Sequence, residues 1–308
     1  MFDPALVLAA LALEAVIGYP ARWPHPVMWA GQAIAGLATR WNRPAWPDAQ
    51  RKLLGLTTIV IIAGVAGFIG FVLERQLLPY AFGAALVVLM ATVGLAQRSL
   101  YDHVAAVATP LIQGDLAQAR TAVGRIVGRD VETLDQTGVA AAALESLAES
   151  FNDGVVAPAF WLLLGGLPGL FIYKVINTAD SMIGHKEPRW KDFGWAAART
   201  DDLLNLVPAR IAGALIAVAG RGGWRTMLAG AMKHASPNAG WPEAAMAGAL
   251  NVRLGGLAIY DTIPHHRPVF GEGAVPQPSD LQRGLQIYLR ACAVMWAALA
   301  AGGMLWRL

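Results

Sequence analysis

The chain has 308 residues, of which 56% are hydrophobic and 15% are charged, and eleven of them are tryptophan. This composition predicts a multi-pass membrane protein rather than a soluble enzyme. The net charge of +3 and the absence of a Lys/Arg run exclude a protein that binds nucleic acid through a basic surface. A single cysteine, Cys292, excludes an intramolecular disulfide and a cysteine-based metal site.

Apolar stretches long enough to cross a bilayer recur along the chain. The two clearest are 53–73 and 77–96, separated only by Glu74-Arg75-Gln76, so we expect a transmembrane hairpin. Arg and Lys residues precede it, which by the positive-inside rule places 20–52 in the cytoplasm. One further span contains Arg210, which we expect to be paired or functional. The predicted spans are 4–18, 53–73, 77–96, 203–219 and 291–306.

The apolar stretch 155–173 contains helix-breaking residues in its middle. Pro158, Gly165-Gly166 and Pro168-Gly169 favour a broken or re-entrant helix, which membrane proteins tolerate where the backbone lines a cavity. If 155–173 crosses the membrane, the polar residues on its two sides lie on opposite faces. If it re-enters, both polar blocks stay on one face.

Three polar segments, 97–154, 174–202 and 221–290, lie between the apolar ones. Helical spacing predicts three short helices in the first, with starts at Asp115 and Asp130 and the last helix at 138–151. A small-residue helix is expected within 234–256, and the Pro/Gly-rich stretch 260–280 is expected to be a loop. We predict one all-α integral membrane domain covering 1–308.

An acidic cluster ends the first polar segment. Glu145 and Glu149 are four residues apart and share a helix face, and Asn152 and Asp153 follow closely. Carboxylate oxygens are the ligands that Mg²⁺ prefers, often together with substrate phosphates. The alternative interpretation is a solvated helix face.

The second polar segment interleaves acids with bases. Lys174, Asn177, Asp180 and Ser181 recur at helical spacing and can line one groove. Cations in this segment suit phosphate binding, which arginine achieves with two parallel hydrogen bonds. The alternative is a set of juxtamembrane charges that reach the interface or bind anionic lipid. The charged and polar residues that follow are His185, Lys186, Arg189, Lys191, Asp192, Arg199, Asp201, Asp202 and Asn205.

Motifs of several other enzyme classes are absent. The sequence contains no HExxH, CxxC, GxSxG or GxxxxGK[ST], so zinc hydrolases, nucleophile-elbow hydrolases and P-loop proteins lack support. Its glycine-rich pieces do not form a dinucleotide fold. His25 and His265-His266 are flanked by proline, and such loop histidines are more often structural or exposed than catalytic.

Four long motifs resemble a known family: ESLAESFNDGVVAPAFW, YKVINTADSMIGHK, RWKDFGWAAARTDDLLNLVPAR and SPNAGWPEAAMAGALNVRLGG. Together with HPV near the N-terminus and GRDVETLD, they resemble the adenosylcobinamide-phosphate synthase family of cobalamin biosynthesis, the CbiB/CobD membrane proteins. The resemblance covers nearly the whole chain. One departure is that family members often read Ala-Glu-Asn where this chain has Ser150, with its Asn at 152.

The resemblance implies ATP-dependent amide ligation of adenosylcobyric acid with aminopropanol phosphate, or a related amino alcohol, giving adenosylcobinamide phosphate. We assign catalytic roles to Glu145, Glu149, Asp153, Lys174, Asp180 and Asp201. We assign Mg²⁺ to Glu145, Glu149 and Asp153. We assign substrate and phosphate binding to His25, Asn177, His185, Lys186, Arg189, Asp192, Arg199, Asp202 and Asn205.

The resemblance also implies the cofactors, partners and location. ATP and Mg²⁺ are expected, and haem, flavin and NAD are not. The expected partners are the corrinoid substrate, the amino-alcohol phosphate, the lipid bilayer, and either a second copy or other membrane enzymes of the same pathway. We expect a multi-pass protein of the bacterial inner membrane whose active site faces the cytoplasm.

Two other functions compete with the ligase. A transporter or binding protein for a small polar or corrinoid solute would place its site at the broken segment 155–173, inside the spans. Most of the polar residues, however, lie just outside them. A CDP-alcohol phosphotransferase lacks support because its acidic signature is absent.

Overall fold

A computed structural model describes residues 3–19, 24–260 and 263–306. The described residues are mostly helical and include one small antiparallel sheet. Four helical stretches, 48–77, 83–112, 136–183 and 278–304, are long and apolar enough to cross a membrane. The bent pair of helices Trp195–Leu204 and Leu206–Ala219 would supply a fifth span. The predicted class, a helical multi-pass membrane protein, is confirmed. The chain divides into two compact units, and the single integral membrane domain over 1–308 remains a prediction.

Unit 1 consists of Met1–Ala96, Ala157–Asn205 and Gly302–Leu308. Its first helices are α1 (Pro4–Ile17), α2 (Pro26–Trp41), α3 (Asp48–Leu77) and α4 (Gly83–Thr92). The charged triplet at 74–76 lies inside α3 and not in the turn, where we expected it. Pro79 accounts for this, because a helix usually ends before the residue that precedes a proline, and Arg75 in the last turn suits the negative end of the helix dipole.

Unit 1 also contains α8 (Ala157–Ile183) and α9 (Trp195–Leu204). Gly166 interrupts α8 with φ +60° and ψ −151°, outside the helical region. A Cβ added at Gly169 would overlap the carbonyl oxygen of Trp161, eight residues earlier. Because such residues are about 12 Å apart in an unbroken helix, the chain folds back here. The predicted break is confirmed; that the turn re-enters the membrane remains a prediction.

Apolar residues of four helices and the 184–194 loop form the core of unit 1. Small residues permit close approaches: a Cβ at Gly55 would overlap the Phe193 carbonyl oxygen, so α3 contacts that loop directly. Burying each large aliphatic side chain stabilises the fold by about 2 kcal/mol. The core residues are Ile34, Ala38, Ile59, Ile62, Ile176, Ala179, Ile183, Phe193, Ala196 and Ala197.

Unit 2 consists of Gln97–Val156 and Leu206–Ala301. Its helices are α5 (Gln97–Ile112), α6 (Leu116–Val123), α7 (Gln136–Phe151), α10 (Leu206–Ala219), α11 (Trp224–Gly230), α12 (Gly240–Leu250) and α13 (Pro278–Trp306, continuing to residue 301 in this unit). A π-helical turn, Asn152–Val156, follows α7. The three predicted helices before it are present, and Asp115 caps α6 through the Gln118 N–H at 2.9 Å. Asp130 was the wrong helix start: Asp135 caps α7 through the Gly138 N–H at 2.7 Å.

The prediction of a loop at 260–280 was also wrong in part. Strands β1 (Leu254–Tyr260) and β2 (Ile263–Phe270) pair as an antiparallel hairpin with a bulge between Leu254 and Gly256. Pro264 and Pro268 argued against a strand, but both strands of a two-stranded sheet are edges, where proline is tolerated. The hairpin is tied to the 129–131 segment, because the Asp130 N–H donates to the Ile259 carbonyl at 2.9 Å.

Candidate functional site

In unit 1, α8 and α9 bring together three predicted site residues around one carboxylate. Asn177 Nδ2 donates to Asp201 Oδ1 at 3.2 Å, and Asn205 Nδ2 donates to Asp201 Oδ2 at 3.0 Å. Asn205 also donates to the Asp201 backbone carbonyl at 3.1 Å, at the C-terminal end of α9. Each carboxylate oxygen is thus oriented by one amide. Asp201 is therefore held in a single direction by two helices.

Two further predicted site residues of unit 1, Lys174 and His25, interact electrostatically. His25 caps α2, because its Nδ1 accepts the Val27 N–H at 3.2 Å. Burial first, and then the Lys174 ammonium, lower the pKa of His25, while a hydrogen bond to the Val93 backbone opposes them. The ring is therefore neutral near pH 7 and joins the start of α2 to the end of α4. Its assignment to substrate binding remains a prediction.

The loop between α8 and α9 presents the predicted cations. His185, Lys186 and Arg189 are exposed. A buried arginine of α3 anchors the loop backbone: Arg51 Nη2 donates to the Arg189 carbonyl at 2.6 Å and to the Pro188 carbonyl at 3.3 Å. Its Nη1 also lies 3.9 Å from Asp192. The cationic side chains of the loop are therefore exposed, while hydrogen bonds from Arg51 hold its backbone in place.

Two other acids of this segment, Asp202 and Asp180, contact residues that are close to them in the sequence. Arg199 Nη1 lies 3.1 Å from Asp202 Oδ2, one helical turn away. Asp180 lies at the end of α8, where a Cβ at Gly184 would overlap its Oδ1. The glycine is thus needed for the close approach of the carboxylate. These contacts give neither Asp180 nor Asp202 a chemical role, so the roles assigned to them remain predictions.

In unit 2, Glu145 lies at the centre of a buried charge network. Its side chain is 3% exposed and forms ion pairs with Arg129 and with Arg267, the latter at 2.9 Å. The Gly255 N–H donates to Glu145 Oε1 at 2.7 Å, which requires the bulge at the start of β1, where φ of Gly255 is +91°. Both carboxylate oxygens are thus engaged by the protein.

Glu243 of α12 extends the network. Arg267 Nη2 donates to Glu243 Oε2 at 2.9 Å, so one guanidinium on β2 bridges α7 and α12. His234 Nε2 lies 3.8 Å from the other Glu243 oxygen. Burial first, and then the charge of Glu149, raise the pKa of Glu243 well above its ordinary range, outweighing the opposite effect of Arg267. Glu243 therefore holds a proton more readily than an exposed glutamate does.

This network does not fit the predicted Mg²⁺ site. Two guanidinium groups and a backbone N–H contact the Glu145 oxygens, so in this structure Glu145 is ion-paired and does not fit the predicted role of metal ligand. Glu149 is exposed, and Asp153 Oδ1 accepts a hydrogen bond from Asn152 Nδ2 at 2.7 Å. Among residues 3–19, 24–260 and 263–306, no group of three or more His, Cys, Asp and Glu residues is arranged to hold a metal ion.

Sequence reasoning missed Tyr173, Arg129, Arg267 and Glu243. Three of them lie inside the stretches that carried the family resemblance, Tyr173 in YKVINTAD, Arg129 in GRDVETLD and Glu243 in WPEAAMAG, so the signal was present but was read only for its acids and amides. Arg267 had no such signal, because its segment was taken for a loop. Arg210, expected to be paired or functional, donates to the Leu206 carbonyl at 2.5 Å and stacks on Trp241 at 4.5 Å.

Comparisons with known proteins agree with the resemblance. A family model described as CobD/Cbib protein matches residues 7–288. A protein of Rhodobacter capsulatus named "Cobalamin biosynthesis protein CobD" is 46% identical over 310 residues, with 98% of each chain covered. Proteins of the same name from a Sinorhizobium species and from Rhizobium meliloti are 46% and 44% identical, over 96% and 97% of this chain and 97% and 96% of theirs. No solved structure matches the chain. Since the family model and these relatives cover nearly its whole length, the chain belongs to the CobD/CbiB family.

Proposed function

We propose that the protein joins a propionate carboxylate of adenosylcobyric acid to the amine of aminopropanol phosphate, or of a related amino alcohol, at the expense of ATP. The product is adenosylcobinamide phosphate. The observation that carries the proposal is family membership over residues 7–288, whose curated members are named as cobalamin biosynthesis proteins. The motifs behind the resemblance also supply the polar clusters of both units, which supports a role for those clusters in the reaction.

The proposed reaction needs two kinds of group. A carboxylate is a poor acyl donor, so its oxygen first attacks the γ-phosphorus of ATP, giving an acyl phosphate and ADP. The amine, after losing a proton, then attacks the acyl carbon, and inorganic phosphate leaves. Cations must offset the phosphate charge in the first step, and a fixed acceptor must orient the amine and take its proton in the second.

The residues of unit 1 supply both kinds of group. We assign phosphate binding to the exposed loop cations Lys186 and Arg189, with Arg199 and Lys174 on the neighbouring helices. We assign the amine to Asp201, since Asn177 and Asn205 hold its carboxylate in one direction. Asp180 stays a second candidate for the amine. Because the predicted metal set does not fit, no step of this mechanism runs through Mg²⁺.

We further propose that the reaction takes place at the cytoplasmic face of a bacterial inner membrane. Arg40 and Arg43 precede the long apolar helix α3, and Arg51 and Lys52 lie in its first turns, in agreement with the positive-inside rule. Adenosylcobyric acid and ATP are cytoplasmic metabolites under this proposal. Labelling of a His185→Cys variant in sealed, oriented vesicles tests it: a membrane-impermeant reagent must reach residue 185 from the cytoplasmic side alone.

The activity is tested with the full chain purified into lipid nanodiscs and supplied with ATP, adenosylcobyric acid and aminopropanol phosphate. We expect one ADP per molecule of adenosylcobinamide phosphate, both followed by mass spectrometry. Asp201→Asn should lower turnover by about a hundredfold or more. Asp102→Asn, at an exposed carboxylate that pairs with Arg98 on the surface of α5, serves as the matched control and should leave it unchanged. Corrinoid uptake into proteoliposomes without ADP formation would instead support a transporter.

A further inference from the structure

A buried tyrosine lies behind the Asp201 carboxylate. Tyr173 is 0% exposed, and its hydroxyl lies 3.1 Å from Asn205 Oδ1. Asn205 is 1% exposed and in turn donates to Asp201. The three residues therefore form a hydrogen-bonded chain that runs from the interior of unit 1 to the carboxylate.

The direction of each hydrogen bond in this chain follows from the chemistry of its ends. An ionised carboxylate can only accept, so Asn205 must turn its Nδ2 toward Asp201. Its Oδ1 then faces Tyr173, and the hydroxyl must donate. If the Asn205 amide were flipped, its oxygen would face the oxygens of Asp201 and the contact would be repulsive. The tyrosine hydroxyl thus stabilises the one amide orientation that supports the carboxylate.

Neither buried residue can contact a substrate in this arrangement, whereas Asp201 is partly exposed. We propose that Tyr173 is a positioning residue, which acts through Asn205 to hold Asp201 in the direction that receives the amine of the amino-alcohol phosphate. This inference rests on the proposed function for the identity of the substrate. The chain of contacts itself does not depend on it.

The test begins with Tyr173→Phe, which keeps the ring and removes the hydroxyl. We expect kcat/KM for aminopropanol phosphate to fall about tenfold, the effect of losing one hydrogen bond near a charge, with the KM for ATP unchanged. Tyr288→Phe is the matched control. Tyr288 is also buried, and its hydroxyl donates to the Gln97 carbonyl of unit 2 at 2.6 Å, so its loss should not change these constants.

A double-mutant cycle separates positioning from general packing. If Tyr173 acts through Asn205, Tyr173→Phe should cause no further loss of kcat/KM in an Asn205→Ala background. Three results would overturn the inference. The losses of kcat/KM in the two single variants could multiply in the double variant, or the kcat/KM of Tyr173→Phe could stay within about twofold of the unaltered enzyme. Equal rises in the KM values of all substrates would also overturn it. If the unaltered protein formed no amide, the proposed function would fail. The same double-mutant cycle, measured on the temperature of thermal unfolding, would then test whether Tyr173 and Asn205 are coupled. Additive shifts of that temperature would reject the hydrogen-bonded chain of residues, and non-additive shifts would support it.

Discussion

Glu74 Oε2 accepts a hydrogen bond from the backbone N–H of Leu167 at 2.7 Å. The last turn of α3 thereby satisfies a backbone donor at the turn that breaks α8. Helix starts leave such donors without partners in their own helix, and a carboxylate there also suits the positive end of the helix dipole. Glu74 thus stabilises the fold-back at Gly166, and the charged triplet that we expected in a loop fixes a turn of another helix.

Gly166→Ala should destabilise unit 1. Its φ of +60° with ψ of −151° belongs to a region that only glycine adopts readily, and an added Cβ would overlap the Glu74 carboxylate. We expect a loss of about 2 kcal/mol or more in the free energy of unfolding. Gly165→Ala is the control, because a Cβ there meets nothing within 4 Å. Chemical unfolding in detergent micelles measures both; equal stability of the two variants would contradict this account of the turn.

Arg267 should be essential to the stability of unit 2. Arg267→Met leaves Glu145 with one cation fewer and Glu243 without its guanidinium, and both carboxylates are buried, at 3% and 1% exposure. Removing one partner of such a buried pair costs about 3 kcal/mol. Arg283→Met removes an arginine that is 53% exposed and pairs with Asp280, and should cost less than about 1 kcal/mol. A smaller effect at 267 than at 283 in unfolding experiments would refute the assignment.

The helices and the break in α8 could be predicted because each depends on local sequence: apolar runs, caps and the GGLPG breakers. The contact between Arg267 and Glu145 could not, since it joins residues 122 apart and depends on a hairpin whose prolines argue against a strand. The predicted helix start at Asp130 was wrong for a similar reason, although the predicted helix at 138–151 agrees with α7. Asp130 and Asp135 both suit an N-cap, and only the tertiary bond between Asp130 N–H and Ile259 shows that the first lies beside β1.

In the candidate site, too, local patterns could be predicted and long-range contacts could not. Asn177, Asp201 and Asn205 were predicted from their residue types, and the structure brings them together. Glu145 was predicted as a metal ligand from the same kind of pattern. The pattern of acids alone does not reveal a counter-ion supplied from a distant strand, and two arginines change a carboxylate from a metal ligand into the centre of an ion-paired network.

Glu243 should make the stability of unit 2 depend on pH. Because the pKa of Glu243 is raised, chiefly by burial and then by Glu149, the folded protein keeps a proton that the unfolded chain releases above about pH 4.5. The contribution to stability is complete below that pH and is lost as pH rises through the raised pKa. Glu145 adds to this effect, Arg267 and Arg129 oppose it, and the His234 ring lies 3.8 Å from Glu243 Oε1.

Glu243→Gln mimics the protonated side chain and should therefore flatten this decline. We expect the variant to gain stability relative to the unaltered protein as pH rises from about 5 to about 8, as measured by denaturant unfolding at each pH. Glu132→Gln, at an exposed position before α7, is the control and should leave the slope unaltered. A variant whose stability ran parallel to that of the unaltered protein over this range would show that another group controls the pH dependence.

Arg51 should hold the loop that carries the predicted phosphate-binding cations. Arg51→Ala removes the donors to the Pro188 and Arg189 carbonyls and to Asn42 Oδ1, so the loop backbone loses its anchor on α3. Under the proposed function, we expect the KM values for ATP and for aminopropanol phosphate to rise about tenfold, with a smaller change in kcat. Arg51→Lys should recover part of the loss, because a lysine can donate to one carbonyl but cannot reproduce the fork of the guanidinium.

Limited proteolysis tests the same anchor without any assay of activity. Lys186, Arg189 and Lys191 are exposed sites for trypsin, and cleavage there requires the backbone to leave its present path. Arg51→Ala should therefore be cut faster within the loop than the unaltered protein. Arg43→Ala, which removes an exposed arginine that contacts only Arg40 and Trp46 among the contacts described for it, should be cut at the original rate. Equal cleavage rates for the two variants would mean that α3 does not position the loop, and any change in KM would then need another cause.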